Sequence, residues 1–184
     1  MTNFIPEQPK TSKQVPYFDD VTSEDGWVGQ TTGKSTESLK SIITQAISRL
    51  GGLVTGFEKG TFKMESGLSR DGYRITYTIE SSNGRMQLGV IEIAALPVRT
   101  GRYSSLETRK EKSLKMALYM IGQTLNGLWY LEQLSPGYAP LMPFMIEPKS
   151  GKTITQLWSE NATMNNLLPS GENDFIDAET RELK

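Results

Sequence analysis

The sequence contains no cysteine and no histidine among its 184 residues. The absence of cysteine excludes a disulfide framework and a thiol nucleophile. The absence of histidine removes the usual general base near neutral pH, the usual zinc ligands and triads of the Ser-His type. An enzyme built on this chain would have to use carboxylates, lysines or hydroxyls, and we predict no enzymatic activity, no metal site and no cofactor.

The chain also lacks long apolar runs. Its first residues, MTNFIPEQPKTSKQ, have no apolar stretch of the kind found in a signal peptide. No other run approaches the length needed to span a membrane. We therefore expect a protein that does not insert into membranes and that resides in the cytoplasm, the nucleus or the nucleoid.

Charge is distributed unevenly along a chain whose net charge is −1. Residues 34–115 carry 14 basic and 8 acidic side chains, a balance of +6, whereas the parts before and after them have balances of −3 and −4. A basic middle between acidic ends favours a site for a polyanion, flanked by solvating or competing tails. An ordinary mixed surface is the alternative.

Composition divides the chain into three parts. Residues 1–34 are polar and rich in proline and glycine, which predicts a flexible N-terminal arm, although aromatic residues such as Trp27 suggest docking on the domain or on a neighbouring subunit. We expect a core domain at 35–155. Residues 156–184 predict an acidic and mostly disordered C-terminal tail.

Within the core, periodicity predicts the element order α-β-β-β-α. Apolar residues at helical spacing follow Thr36, a plausible N-cap, and end at a glycine pair, which indicates a short amphipathic helix. Strand candidates follow within 53–64, at 73–80 and within 85–96, and the second alternates apolar with polar residues. The predicted fold class is α+β, with an antiparallel sheet of three or four strands packed against one long helix.

The long helix, at 106–133, carries two stripes. One is apolar, with spacings of four and three residues, and should pack on the sheet: Leu114, Leu118, Ile121, Leu125 and Leu128. The other is mostly polar and should line an open surface: Arg109, Lys112, Met116, Tyr119, Gln123 and Asn126. We expect Gly122 to let the sheet backbone approach closely.

Two candidate motifs, one for nucleotide binding and one for metal-dependent catalysis, each lack a required residue. The tripeptides at 33–35 and 151–153 read Gly-Lys-hydroxyl, but neither has the earlier glycine that a phosphate-binding loop requires. Glu80 and Glu92 lie on the strands that hold the metal in restriction-type nucleases, but the lysine expected two residues later is Ala94. A metal-dependent nuclease is therefore the less favoured alternative.

Basic residues interleaved with aromatic ones are the remaining chemical signal. Phosphates attract lysine and arginine with little demand on geometry, and aromatic rings can stack on unpaired bases. The candidates lie on two strands, on the connection into the long helix and on that helix: Arg74, Arg85, Arg99, Arg102, Arg109, Lys112, Lys115 and Tyr119. A solvated helix face, with Glu107 and Glu111 as intrahelical partners, is the simpler explanation.

Residues 114–126 of the long helix read LKMALYMIGQTLN. This stretch resembles the signature helix of the Rad-fifty-two group of single-strand annealing proteins, with its leucines, lysine, alanine and glycine at matching positions, and phage annealing proteins of the Erf type share the same plan. By position, Lys115 matches a family lysine that contacts DNA. The next two basic family positions are Met116 and Tyr119 here, which departs from the pattern.

The resemblance implies a β-β-β-α core, homo-oligomeric rings or filaments, and a groove that holds single-stranded DNA by its backbone. The function that it predicts is non-enzymatic binding and annealing of single strands in recombination or repair. The main alternative is a protein-interaction or assembly subunit, for example a phage structural component, in which the basic residues are incidental.

Overall fold

A computed structural model describes residues 15–63, 69–80, 84–100 and 105–164. The elements in chain order are α1 (Thr36–Arg49), β1 (Gly52–Lys63), β2 (Ser69–Glu80), β3 (Met86–Ala94), α2 (Leu106–Leu134) and α3 (Ile154–Met164), with short 3-10 turns at Phe18–Asp20 and Met142–Phe144. The strands form one open antiparallel sheet in the order β1-β2-β3, and α2 packs against it. The predicted α+β class is confirmed.

The N-cap of the first helix lies one residue earlier than predicted. The hydroxyl of Ser35 accepts a hydrogen bond from the Ser38 N–H at 3.1 Å, so Ser35 and not Thr36 is the N-cap. The helix ends at Arg49, and Gly51 with φ of +80° turns the chain into β1. This tight turn places β1 directly against the helix that precedes it, because glycine adopts positive φ without steric cost.

The sheet has one covered and one open face. On β2, Tyr73, Ile75 and Tyr77 are buried against the helices, whereas Arg74 and the threonines between them face outward. The register pairs β2 with both neighbours along its length, apart from an irregularity near Gly56. Beyond β3 the chain adds isolated bridges only, so the described sheet has three strands.

The apolar stripe of α2 lies inward as predicted. Leu114, Leu118 and Leu125 are buried in the main core, and Ile121 and Leu128 pack against it in part. The predicted partner of Gly122, the sheet backbone, was wrong. Ile42 Cγ2 of α1 would lie 3.2 Å from a Cβ at that position, so the glycine admits a helix and not the sheet backbone.

The boundaries predicted from composition differ from the folded chain at both ends. Residues 15–34, here called the N-terminal segment, pack against α2 and the chain after β3, where Val21 is buried with Leu96 and Met116. The helix α3 occupies residues expected to belong to the tail. Residues 1–14 and 165–184 lie outside the described part. None of the helices described combines the length and apolar character that a membrane span requires.

Candidate nucleic-acid interface

The N-terminal segment covers part of the polar stripe of α2. Arg109 is only 6% exposed, and its Nη1 donates to Asp19 Oδ1 at 2.9 Å, an ion pair whose side chains are 8% and 5% exposed. Met116, two turns further along, is fully buried beneath Val21. The prediction that Arg109 contacts nucleic acid is therefore wrong, because a buried and paired guanidinium cannot reach a phosphate.

Arg99 is held by the same segment. Its guanidinium Nε donates to Asp20 Oδ2 at 3.1 Å, its backbone N–H donates to Asp19 Oδ2 at 2.9 Å, and the ring of Tyr17 lies 4.4 Å from its Cζ. The hydrogen bonds that Arg99 donates to the Asp20 carboxylate raise the pKa of Arg99 above its usual value. Because half of this side chain remains exposed, Arg99 could reach a ligand only in competition with a carboxylate.

The arginines of the sheet lie away from the helix surface. Arg74 is on the open face of β2, opposite the helices, and pairs with Glu92 at 2.8 Å. Arg85 is exposed just before β3. The fold thus does not bring Arg74 or Arg85 together with the candidates on α2, and Arg102 lies outside the described residues.

The two glutamates of the nuclease alternative are far apart. Glu80 pairs in register with Met86, whereas Glu92 stands six residues further along β3 opposite Arg74. At about 3.4 Å per residue, their positions are separated by roughly 20 Å, which is too far to share one metal ion. No group of three or more His, Cys, Asp or Glu side chains in the described ranges is arranged to hold a metal.

The clefts beside the first turns of α2 have mixed charge. Two of them, each of about 300 Å³, share Asp71 and Lys110 and run between α2 and the ends of β1 and β2. Their ionisable lining residues are Lys59, Arg70, Asp71, Glu107, Lys110 and Glu111. Three cations balance three carboxylates, so the clefts offer no net attraction for a polyanion.

The remaining predicted residues of α2 form an accessible surface. Lys112 is exposed. Lys115 is 26% exposed and binds Glu111 at 2.8 Å, and this contact holds the pKa of Glu111 below its usual value. Tyr119 is half-buried one turn further along. These three side chains lie on one side of the helix, as their spacing predicted.

Two cations from other elements join this surface. Lys34, just before α1, places its Nζ 5.9 Å from the centre of the Tyr119 ring. Arg49, the last residue of α1, lies beside the other end of the surface, where its Nη1 donates to Asn126 Oδ1 at 3.3 Å. We call the set Lys34, Arg49, Lys112, Lys115, Tyr119 and Asn126 the cationic strip.

The close approach of the N-terminal segment to Tyr119 depends on Gly29. This glycine has φ of +92°, and a Cβ built on it would lie 2.6 Å from Tyr119 Cδ1. The backbone at Gly29 therefore lies directly against the Tyr119 side chain. Tyr119 is held in place from one side by the segment, which leaves a partly exposed ring within the strip.

Sequence reasoning missed Lys34 and Arg49. Lys34 stood in a tripeptide that fails as a phosphate-binding loop, and Arg49 is one basic residue at the end of a helix. Neither position is near α2 in the sequence, since 77 residues separate Arg49 from Asn126. The packing of α1 along α2 through Gly122 is what brings both cations to the strip.

Comparison of this chain with protein family models, with curated proteins and with solved structures gives no match. No relative therefore indicates a ligand or an activity. Function has to be inferred from the surfaces of the folded chain, among which the cationic strip has the clearest chemistry.

Proposed function

We propose that the protein binds single-stranded nucleic acid along the cationic strip and anneals complementary strands, without catalysis and as a homo-oligomer. The observation that carries this proposal is the convergence of three elements on one side of α2. Lys34, Arg49 and Lys112 are exposed along that side, and none of the three has an ion-pair partner among the described residues.

The dimensions of the strip suit an extended strand. From Lys112 to Asn126 the helix advances 14 residues, or about 21 Å at 1.5 Å per residue. Each phosphate that replaces counterions on such a surface contributes about −0.7 to the slope of log affinity against log salt for a single strand. A strip of four cations with one tyrosine and one amide makes few demands on base identity, so we expect little sequence preference.

The sheet edge offers a route to the oligomer. β1 is an edge strand of twelve residues, paired on one side by β2. The other side of such a strand presents backbone N–H and C=O groups that can pair with a second chain. Self-association through this edge would place several cationic strips side by side, which supports annealing because two strands must be held at once.

An assembly subunit is the second candidate, favoured by exposed apolar side chains. At the end of α2, Leu131 is 44% and Leu134 is 81% exposed, and Trp158 of α3 is 59% exposed. Exposed apolar side chains of this size are typical of a protein interface where they form one patch. In this case the cationic strip would be ordinary surface and the apolar groups would bind a partner.

The test is direct binding of a fluorescently labelled oligodeoxythymidine, followed by anisotropy over a range of salt concentrations. We expect binding at low salt that weakens steeply as salt rises, and faster annealing of complementary strands when the protein is present. Light scattering should show an oligomer under the same conditions. No retention of single strands at low salt would contradict the proposal and favour the assembly subunit, whereas strand scission on adding magnesium or manganese would indicate a nuclease.

A further inference from the structure

The C-terminal end of the cationic strip carries an aromatic cluster. The rings of Trp129 and Tyr130 meet edge to face, with centroids 5.0 Å apart and planes at 64°. The guanidinium of Arg49 lies over Trp129, with its Cζ 5.7 Å from the ring centre, and the same guanidinium donates to Asn126. A cation, an amide and two aromatic rings thus lie together where α1 and α2 end.

Helical geometry places Tyr130 on the line of the strip. It follows Tyr119 by eleven residues and Asn126 by four, so all three point to nearly the same side of α2. Tyr130 is 60% exposed, an unusual degree of exposure for a large aromatic side chain. Trp129 is half-buried and supports it from the side of α1.

We propose that Trp129, Tyr130 and Arg49 form a stacking site for an unpaired nucleobase, at the end of the phosphate-binding strip. This inference rests on the proposed function and specifies that the aromatic cluster binds the base of the nucleic acid. The face of an unpaired base stacks on an exposed aromatic ring, and a guanidinium at the same place adds a cation–π contribution. Bases inside a duplex are already stacked on one another, so the site favours single strands.

The chemistry of the cluster distinguishes a base from an apolar protein segment. A purely apolar partner would desolvate the guanidinium of Arg49 without offering it new hydrogen bonds, which is unfavourable. A base with its phosphate offers acceptors to this guanidinium. The exposed leucine that follows, Leu131, is rotated about 100° from Tyr130 around the helix axis and lies off the strip.

Two probes with equal charge separate stacking from electrostatics. One is an oligodeoxythymidine, and the other is an abasic oligonucleotide of the same length, with the same phosphates and no bases. The wild-type protein should bind the first more tightly by roughly five- to a hundredfold at equal salt. Tyr130→Leu should remove most of this preference by weakening only the first complex. Tyr138→Leu, which changes an exposed tyrosine beyond the end of α2, should leave both affinities unchanged.

Tryptophan fluorescence gives a second readout at the site itself. Thymidine bases stacked beside Trp129 should quench its emission, and the abasic strand should not. The quenching should persist in Trp158→Phe and disappear in Trp129→Phe, which keeps an aromatic ring. Circular dichroism of each variant verifies that folding is retained.

Each outcome decides the matter. Equal affinity for the two probes leaves the proposed function standing and overturns the stacking site, as does an equal loss of both affinities in Tyr130→Leu. A change of oligomeric state in Tyr130→Leu with an unchanged probe preference means that the cluster binds protein, and also overturns it. Binding of neither probe by the wild type overturns the proposed function together with the stacking site.

Discussion

The ion pair between Asp19 and Arg109 should anchor the N-terminal segment to the domain. Asp19→Asn removes one charge and keeps the size of the side chain. It leaves the guanidinium of Arg109 buried without its partner, and the Nε of this group has no hydrogen bond among the described residues even in the wild type. Removing one member of a buried pair costs about 3–5 kcal/mol.

The matched control is Asp20→Asn, the same chemical change one residue further along. Its pair with Arg99 is exposed, with side chains 50% and 38% accessible, and such pairs contribute little to stability because solvent and salt screen them. The free energy of unfolding and the melting temperature of both variants are measured by urea and thermal unfolding, followed by circular dichroism. In a chain of this length about 3–5 kcal/mol lowers the melting temperature by roughly 10 °C, so the two variants should separate clearly.

A double replacement tests whether the buried charge itself is responsible. Asp19→Leu combined with Arg109→Met removes both charges and keeps apolar volume, and it should be more stable than Asp19→Asn alone. If Asp19→Asn and Asp20→Asn have equally small effects, the segment is not anchored by this pair. The description of the segment as a covering layer on α2 would then be wrong.

Burial raises the pKa of the Tyr77 phenol well above its usual value, and its hydroxyl donates to the Leu141 carbonyl at 3.1 Å. The native state holds this proton more tightly than the unfolded chain does. The contribution of the neutral Tyr77 phenol to folding stability is therefore complete below about pH 10 and is lost as the pH rises further. The urea midpoint above pH 10 should fall more steeply with pH for the wild type than for Tyr77→Phe. Gly29→Ala should destabilise the protein by about 1–3 kcal/mol in thermal unfolding, since it introduces strain at positive φ and a clash with Tyr119. An unchanged melting temperature would show that the backbone at Gly29 does not pack against Tyr119.

The elements of the core were predictable because their signals are local. The spacing of Leu114, Leu118 and Leu125 identifies the buried side of α2, and the alternation along β2 identifies its two faces. The burial of Arg109 was not predictable in this way, because its partner Asp19 lies 90 residues away in a stretch with the composition of a linker. Met116, an apolar residue in a polar stripe, was the signal that something covers this side of the helix.

Composition was also a poor guide to the region after residue 153. The spacing of Ile154, Leu157 and Trp158 is typical of a helix, but the polar residues around them favoured disorder. Only part of the cationic strip could be predicted from the sequence. Its residues on α2 share a helical period, whereas Lys34 and Arg49 reach it through the packing of α1, which no local pattern encodes.

The central claim is that the cationic strip binds phosphates, and charge reversal of Lys112 and Lys115 tests it. Lys112→Glu with Lys115→Glu leaves the apolar stripe intact. Lys115→Glu exchanges the exposed ion pair with Glu111 for a like-charge pair one turn apart, a surface change that folding should tolerate. The control is Lys63→Glu with Lys149→Glu, the same change of net charge at two exposed lysines outside the strip.

The measurement is the affinity of both double variants for oligodeoxythymidine as a function of salt. Reversal within the strip should lower affinity by well over tenfold at physiological salt and make the salt slope shallower by about two contacts, or roughly 1.4. The control should retain nearly the wild-type slope. If the two double variants behave alike and both remain folded, the strip does not bind nucleic acid, and the central claim is contradicted.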